Sequence, residues 1–376
     1  MRAAHHSYQL TGVLMFLVMA FVGAAAAQKA APAKQDPKLL RFVERATSWY
    51  PDSTFRIVQE VREQTPSGSY RIVAVERKCA NKYLTGTTTW VVDEVARTVW
   101  VGSIGLLPPA SARTNDLAGF LKRFLPGALQ KSLRMSVTVV WNRAGLPSGA
   151  LIPFLLKVDS GYGSYFKSAA VTADGRRVVL GVSLPLDQDP VAYRRKLLHS
   201  SKLVMWDHPG EKAKVEIVEF SDFECPACKA KWPIITKILS KFDGVVRHGM
   251  VNFPLTTIHP WSFRAAAAAW CVVQQAPSKL IPLKEQFYSM QRDMTVSEVG
   301  PVAGDFVASH GLDGRLFNAC FLEEPSLNAV NRQMALAEDL GVMATPTYFV
   351  NGWQVQVPSE DWLLPLIQRL AAGREP

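Results

Sequence analysis

The sequence Cys225-Pro226-Ala227-Cys228 places two thiols two residues apart, directly after the apolar run Val215, Ile217, Val218 and Phe220. That run suits a buried strand, and Pro226 stands where a helix begins. Residues 229–239 read as that helix, with Trp232, Ile235 and Leu239 on one face. A strand, a turn and a helix in this order put Cys225 at a helix N-terminus, where the dipole and free N–H groups favour a thiolate. Cys225 is then expected to be exposed and to exchange with a client sulfur. Cys228, one turn further in, closes the internal disulfide and resolves a mixed one. Half a zinc site and two unrelated core cysteines are the competing readings. Zinc needs a second ligand pair, and no CxxC, CxxH or HxxxH follows. With no Walker or Rossmann glycine pattern, no nucleotide, flavin or metal is implied; the cysteine pair is itself the redox group.

The stretch VEIVEFSDFECPACK resembles the active-site segment of the DsbA-like branch of the thioredoxin superfamily. A second stretch, GVMATPTYFVNG at 341–352, resembles the family's later half, in which a cis proline lies against the cysteines; Thr345 and Pro346 match those positions. The resemblance covers about 205–376 and implies an α/β thioredoxin-like fold with a helical insertion at roughly 259–340. It further implies that Glu219, six residues before Cys225, is a buried carboxylate handling the proton of the inner thiol. A strand-end carboxylate in solvent is the alternative. Relatives carry cysteines in two insertion helices, so the resemblance also implies a Cys271–Cys320 disulfide, worth roughly 3–4 kcal/mol if unstrained; two buried free thiols are the alternative. The family's strongest oxidants carry a histidine in the dipeptide. Pro226-Ala227 offers no donor, so the expected Cys225 pKa lies between about 5 and 7, with Asp222 and Glu224 opposing the helix dipole. The expected couple is correspondingly less oxidising. Thr345 occurs in family members with isomerase or reductase duties. His259-Pro260 is read as a helix start, with a proton relay through His259 as the lesser reading.

Residues 1–27 read as a cleaved signal peptide: Arg2 is followed by the apolar core at 13–23, too short for a comfortable span, and Ala25-Ala26-Ala27 offers a cut after Ala27. An uncleaved anchor is the alternative. The expected location is periplasmic or otherwise extracytoplasmic, where disulfides persist. Residues 28–37 read as a tether. The chain has 376 residues, 48% of them hydrophobic, enough for two cored domains. Its formal net charge of +10 is scattered without a basic run, which favours acidic clients or an anionic envelope surface and argues against nucleic acid.

Residues 36–200 carry no motif that points to a family, and 38–200 read as an α+β region. Landmarks recur about 80 residues apart: a helix opened by Asp36 and by Asp116, the PSG turns at 66–68 and 147–149, and Asp93 and Asp174 before apolar runs. Two αββββ units at about 36–113 and 116–186 follow, with strands at 55–62, 70–77, 87–92 and 98–104, then 133–141, 151–158, 164–172 and 177–184. The units either form one layer or pair their sheets across a pseudo-twofold; coincidence of hairpin lengths is the competing reading. Glu60, Glu63, Glu76, Asp93 and Glu94 read as solvated charges, and His199 and His208 as lone linker histidines. Residues 189–198 read as a connecting helix and 200–211 as a hinge. Cys79, the odd one of five cysteines, is left open between exposure at a turn and burial at a strand end.

The sequence therefore points to an exported thiol–disulfide oxidoreductase acting on cysteine-containing exported proteins through Cys225, Cys228, Thr345, Pro346 and Glu219. Disulfide formation is the first reading. A dimeric isomerase or reductase, paired through the N-terminal region, is the alternative. A client-binding module without catalysis and a thiol donor for metal-centre assembly are the readings from other classes. A membrane partner would reset the redox state.

Overall fold

The computed structural model describes residues 34–376, apart from 110, 112–114, 134–135, 142–148, 208–212 and 357. The segment expected to be a signal peptide, most of the expected tether, the turn at 147–148 and His208 with the 209–211 part of the expected hinge lie outside the described residues.

The chain opens with α1 (Pro37–Ala46), where the Asp36 carboxylate caps the Leu39 amide at 3.1 Å and Pro37 sets the first turn. Leu39, Phe42, Val43 and Ala46 recur at helical spacing and bury one face. Four antiparallel strands follow: β1 (Thr54–Thr65), β2 (Gly68–Lys78), β3 (Gly86–Asp93) and β4 (Thr98–Leu106). The same order then recurs in α2 (Leu117–Leu133), β5 (Val137–Val140), β6 (Leu151–Asp159), β7 (Ser164–Thr172) and β8 (Arg177–Pro185). Leu133 belongs to the end of α2, so the strand expected from 133 begins at Val137; the Leu121, Leu125 and Leu129 stripe carries the helix onward despite Pro126.

All eight strands form one sheet in the order β1-β2-β3-β4-β8-β7-β6-β5. The two halves meet where β4 and β8 pair antiparallel, with Gly102 opposite Gly181. A Cβ at Gly181 would sit 2.0 Å from the Val101 carbonyl, and one at Gly102 would sit 2.2 Å from that of Leu180. Only glycine lets the central strands approach this closely. Helix α1 packs on Ile57, Val73, Trp90 and Val99, and α2 on Val137, Phe154, Leu156 and Val171.

Helix α3 (Pro190–Ser201), capped by Asp189, leads into a second sheet. Its strands are β9 (Met205–Trp206), β10 (Val215–Ser221), β11 (Val246–Asn252), β12 (Thr347–Val350) and β13 (Trp353–Val355), ordered β13-β12-β10-β11-β9. Only β10 and β11 run parallel. Helices α4 (Pro226–Lys241) and α10 (Glu360–Ala371) cover one face through Trp232, Ile235, Leu363 and Leu366. Between β11 and β12 runs the helical insertion: α5 (Ser262–Gln275), α6 (Leu280–Met290), α7 (Val299–Ser309), α8 (Gly314–Cys320) and α9 (Glu324–Asp339). Helices α5 and α9 cover the other face with Phe263, Ala266, Val330 and Met334. This is the α/β fold with helical insertion that the resemblance implied, preceded by an α+β region.

Several charges read as solvated are not. Asp93 is fully buried and accepts from Val95, Ala96 and Leu151 at 3.0, 2.9 and 2.8 Å, tying the two halves of the large sheet together. Glu63 accepts from Arg177 at 2.6 and 3.1 Å and from the Tyr70 hydroxyl, the bond from Arg177 foremost in holding its carboxyl below the usual range. Glu60 and Glu94 pair with Arg71. His199 is no lone histidine: it meets Glu216 at 2.8 Å. Each error has one cause, since a partner distant in sequence leaves no local pattern.

The central glycine contact makes a direct expectation. Gly181→Ala should destabilise the protein by about 2–3 kcal/mol, because the colliding atom is backbone and cannot rotate away. Gly127→Ala, at a helical glycine with open space around it, should be neutral or stabilise by up to about 1 kcal/mol. Urea denaturation midpoints of the two variants provide the check.

Candidate active site

Strand β10 has every residue buried, because parallel pairing with β11 and antiparallel pairing with β12 place it at the sheet's centre. The chain leaves it through a tight turn in which the Cys225 amide donates to the Asp222 carbonyl at 3.1 Å. Cys225 is the N-cap of α4 and Pro226 its first residue. Against the expectation of exposure, Cys225 is only 5% exposed, since the 345–346 loop lies over it and its Sγ is 3.5 Å from the Thr345 carbonyl. The Thr345–Pro346 peptide is cis. Cys228 is fully buried, and both thiols are free.

The two sulfurs are unequal. The Cys228 thiol donates to Cys225, which outweighs burial and, with the otherwise unpartnered Thr345 hydroxyl and the Cys228 amide, lowers the Cys225 pKa to about 6. Asp222 opposes this, the direction the sequence implies. Burial pushes the Cys228 thiol well above its usual range, with the bond to Cys225 and the charge of Glu219 adding to the effect. One sulfur is ready to react near neutral pH, and the other holds its proton.

Glu219 is completely buried, so the solvent-exposed alternative does not apply. Burial pushes its carboxyl up, but the Lys284 ammonium and the His248 ring prevail and hold it down to about 2. Lys284 Nζ donates to Glu219 Oε2 at 2.5 Å, and His248 Nε2 stands 3.2 Å from the same oxygen. Lys284 reaches this point from α6, its ammonium 4.1 Å from the centre of the Trp232 ring. Tyr288 and Tyr348 close the chamber; burial raises both hydroxyls well above their usual range, and the charges of Glu219 and Cys228 raise them further.

Sequence reading did not single out Lys284, His248, Tyr288 or Tyr348. For Lys284 a signal existed: it falls at the spacing of Leu280, Leu283, Phe287 and Tyr288, the buried face of α6. On the open side, Asp222 is buried and accepts from Glu224 and Leu255, each at 2.8 Å, while its Oδ2 lies 2.7 Å from His259 Nδ1. The His259 carbonyl accepts from Ser262 Oγ at 2.7 Å, so this residue both opens α5 and presents its ring to Asp222. Burial lowers the His259 pKa, but the Asp222 bond and charge raise it overall. Gln291 Nε2 donates to the carbonyls of Phe223 and Cys225 at 2.9 and 3.1 Å.

The remaining cysteines lie apart from this chamber. Cys271 of α5 and Cys320 of α8 are joined in a disulfide. Cys79, at the end of β2, is a half-buried free thiol donating to the Asn81 carbonyl at 3.4 Å. Among the described residues no cluster fit to hold a metal ion occurs, and no helix is long and apolar enough to cross a membrane.

Residues 210–368 match the family model described as thioredoxin. The Na(+)/H(+) antiporter NhaA 1 of Mycolicibacterium vanbaalenii is 29% identical over 165 residues, covering 43% of this chain and 25% of the antiporter. This chain thus spans about a quarter of the length of that relative. Disulfide bond formation protein D of Bacillus subtilis is 29% identical over 147 residues, covering 38% of this chain and 65% of that protein. The solved structure of oxidised BdbD from Bacillus subtilis, at 26% identity, covers 43% of this chain and 90% of its own, with a TM-score of 0.39.

Two expectations follow from the electrostatics. The folded Cys225 pKa lies below its ordinary value of 9.0, so this group stabilises the reduced form at alkaline pH and ceases to do so as pH falls through about 6. Thiolate absorbance near 240 nm should titrate near pH 6 in the reduced protein and lose that step in Cys225→Ser. Glu219→Leu alone should destabilise by about 3–5 kcal/mol by stranding Lys284, whereas Glu219→Leu with Lys284→Met should recover most of that loss in urea unfolding.

Proposed function

We propose that this chain, whose residues 210–368 match the thioredoxin family model, is an exported thiol–disulfide oxidoreductase acting on cysteines of exported proteins. The observation that carries this reading is the split between Cys225, with a pKa of about 6, and the buried Cys228, whose proton is held. Such a pair matches the two halves of disulfide exchange. Starting from the oxidised pair, a client thiolate bonds to Cys225 Sγ, the Cys225–Cys228 bond breaks, and Cys228 leaves as a thiolate that takes up a proton. A second client thiolate then attacks the client sulfur of the mixed disulfide, and Cys225 departs as a stabilised thiolate. Two electrons have passed from the client to the pair, and a membrane partner withdraws them to restore the disulfide.

Thr345 and Pro346 take the role of presenting the client chain, and Glu219 that of the carboxylate governing the Cys228 proton. Held ionised by Lys284 and His248, Glu219 opposes a second negative charge on Cys228 while Cys225 is a thiolate, and so keeps the Cys228 proton in place. Export is supported by the N-terminal pattern and by the Cys271–Cys320 disulfide, which suits an oxidising compartment. Residues 38–200 are read as a recognition or assembly module.

A second reading, isomerase or reductase, is favoured by Thr345 and by a Cys225 pKa that is lowered only to about 6. The stronger the thiolate stabilisation, the more oxidising the couple, so the reduction potential separates the readings. Equilibration of the full chain with glutathione should give about −120 to −150 mV for a disulfide donor; a value below about −200 mV overturns that reading in favour of the second. Cys228→Ser should accumulate a mixed disulfide with cysteine-containing clients, visible on non-reducing gels, and Cys225→Ser should not.

A further inference from the structure

A groove of about 570 Å3 opens beside Cys225. Its walls include Pro226 and Lys229 of α4, His259, Glu224, and from the far side Gln291 and Arg292. Lys229 lies one turn after Cys225, its amide bonded to the Cys225 carbonyl at 3.3 Å, and so shares the helix face of the nucleophile. Gln291 ties the far wall to the same turn through its bonds to Phe223 and Cys225.

The charges of this groove are unevenly used. The carboxylates in and behind its wall are turned to the protein's own groups: buried Asp222 serves His259, Glu224 and Leu255, and Glu224 of the wall accepts from the Trp261 amide at 2.7 Å. Its cations are not. Among the described residues no carboxylate pairs with Lys229 or Arg292, and Arg292 is exposed. Among the described residues, then, two cations without a carboxylate partner line the groove that opens beside Cys225. Around it, Ile258, next to His259, is 66% exposed, and Met343, two residues before Thr345, is 64% exposed, apolar surface for the flanking chain.

We propose that this groove is a subsite for a carboxylate side chain adjacent to the client's reacting cysteine, so that clients with aspartate or glutamate beside that cysteine exchange fastest. The proposal rests on Cys225 being the sulfur that joins the client. In the step it governs, the client thiolate bonds to Cys225 Sγ while the Cys225–Cys228 bond breaks and Cys228 leaves with the electron pair. The neighbouring client carboxylate lies between Lys229 and Arg292 throughout.

The test uses the oxidised full chain and three peptides identical except for glutamate, serine or lysine next to a single cysteine. Quenched-flow mass spectrometry gives the rate of mixed-disulfide formation for each. At low ionic strength the glutamate peptide should react about fivefold to tenfold faster than the lysine peptide, and high salt should reduce that ratio. In the double variant Lys229→Gln, Arg292→Gln the ratio should fall close to one. Equal rates for the glutamate and lysine peptides, or a ratio that survives the double variant, overturn the subsite. Failure of all three peptides to exchange overturns the oxidoreductase reading itself, and the subsite with it.

Discussion

The unequal surroundings of two neighbouring thiols govern the active-site half of this structure. Cys225 is held below the usual thiol range and Cys228 well above it, because their surroundings differ. Cys225 caps a helix and meets the Thr345 hydroxyl, both of which favour the thiolate. Cys228 lies in a dry core beside Glu219, which disfavours it. The fold maintains this difference by simple means. A wholly buried strand ends abruptly, a proline starts the helix one residue after the first cysteine, and a loop from the far half of the domain covers the pair.

The same chamber explains why the helical insertion is more than a cover. A buried carboxylate behind the cysteines is a desolvated charge, and its own sheet offers it only the His248 ring. The ammonium that completes its pairing comes from α6, inside the insertion, and rests on the face of Trp232 from α4. Lys284 therefore joins three elements around one oxygen of Glu219. Because each charge is buried only in the presence of the other, the pairing fixes the seating of the insertion against the catalytic half. The electrostatics behind Cys228 are then set by a helix far from it in sequence.

This division tracks what the sequence reveals. Cys225, Cys228, the strand before them and the helix after them are local: spacing, an apolar run and a proline suffice. Most helices and strands of the first 200 residues are legible for the same reason. The misreadings share the opposite property. Asp93, Glu63 and His199 looked like surface charges because their partners, Leu151, Arg177 and Glu216, lie 17 to 114 residues away. Cys225 was read as exposed because nothing near it in sequence announces that Thr345 will lie over it. Lys284 sat in plain view on an apolar helix face, but a lysine there reads as a misplaced surface residue until its carboxylate is known.

The large N-terminal sheet bears on the active site through how it is held. Its first half grips the second domain at one end: Trp49 and Tyr50 pack on Trp362 at 5.7 and 5.6 Å, and the Trp49 amide donates to the Gln354 carbonyl at 2.6 Å. Arg194, wholly buried, bonds to the carbonyls of Arg45 and Ala46 and to the Gln354 side chain, so one guanidinium spans α1, α3 and β13. Its second half grips elsewhere, with Tyr162 stacked on Phe263 at 4.5 Å and Lys167 paired with Glu338 at 2.6 Å. Two separated anchors, one from each half of a continuous sheet, resist rotation in a way a single hinge does not. Opening either would expose aromatic surface and strand a buried or half-buried charge. The sheet therefore holds a fixed position relative to Cys225.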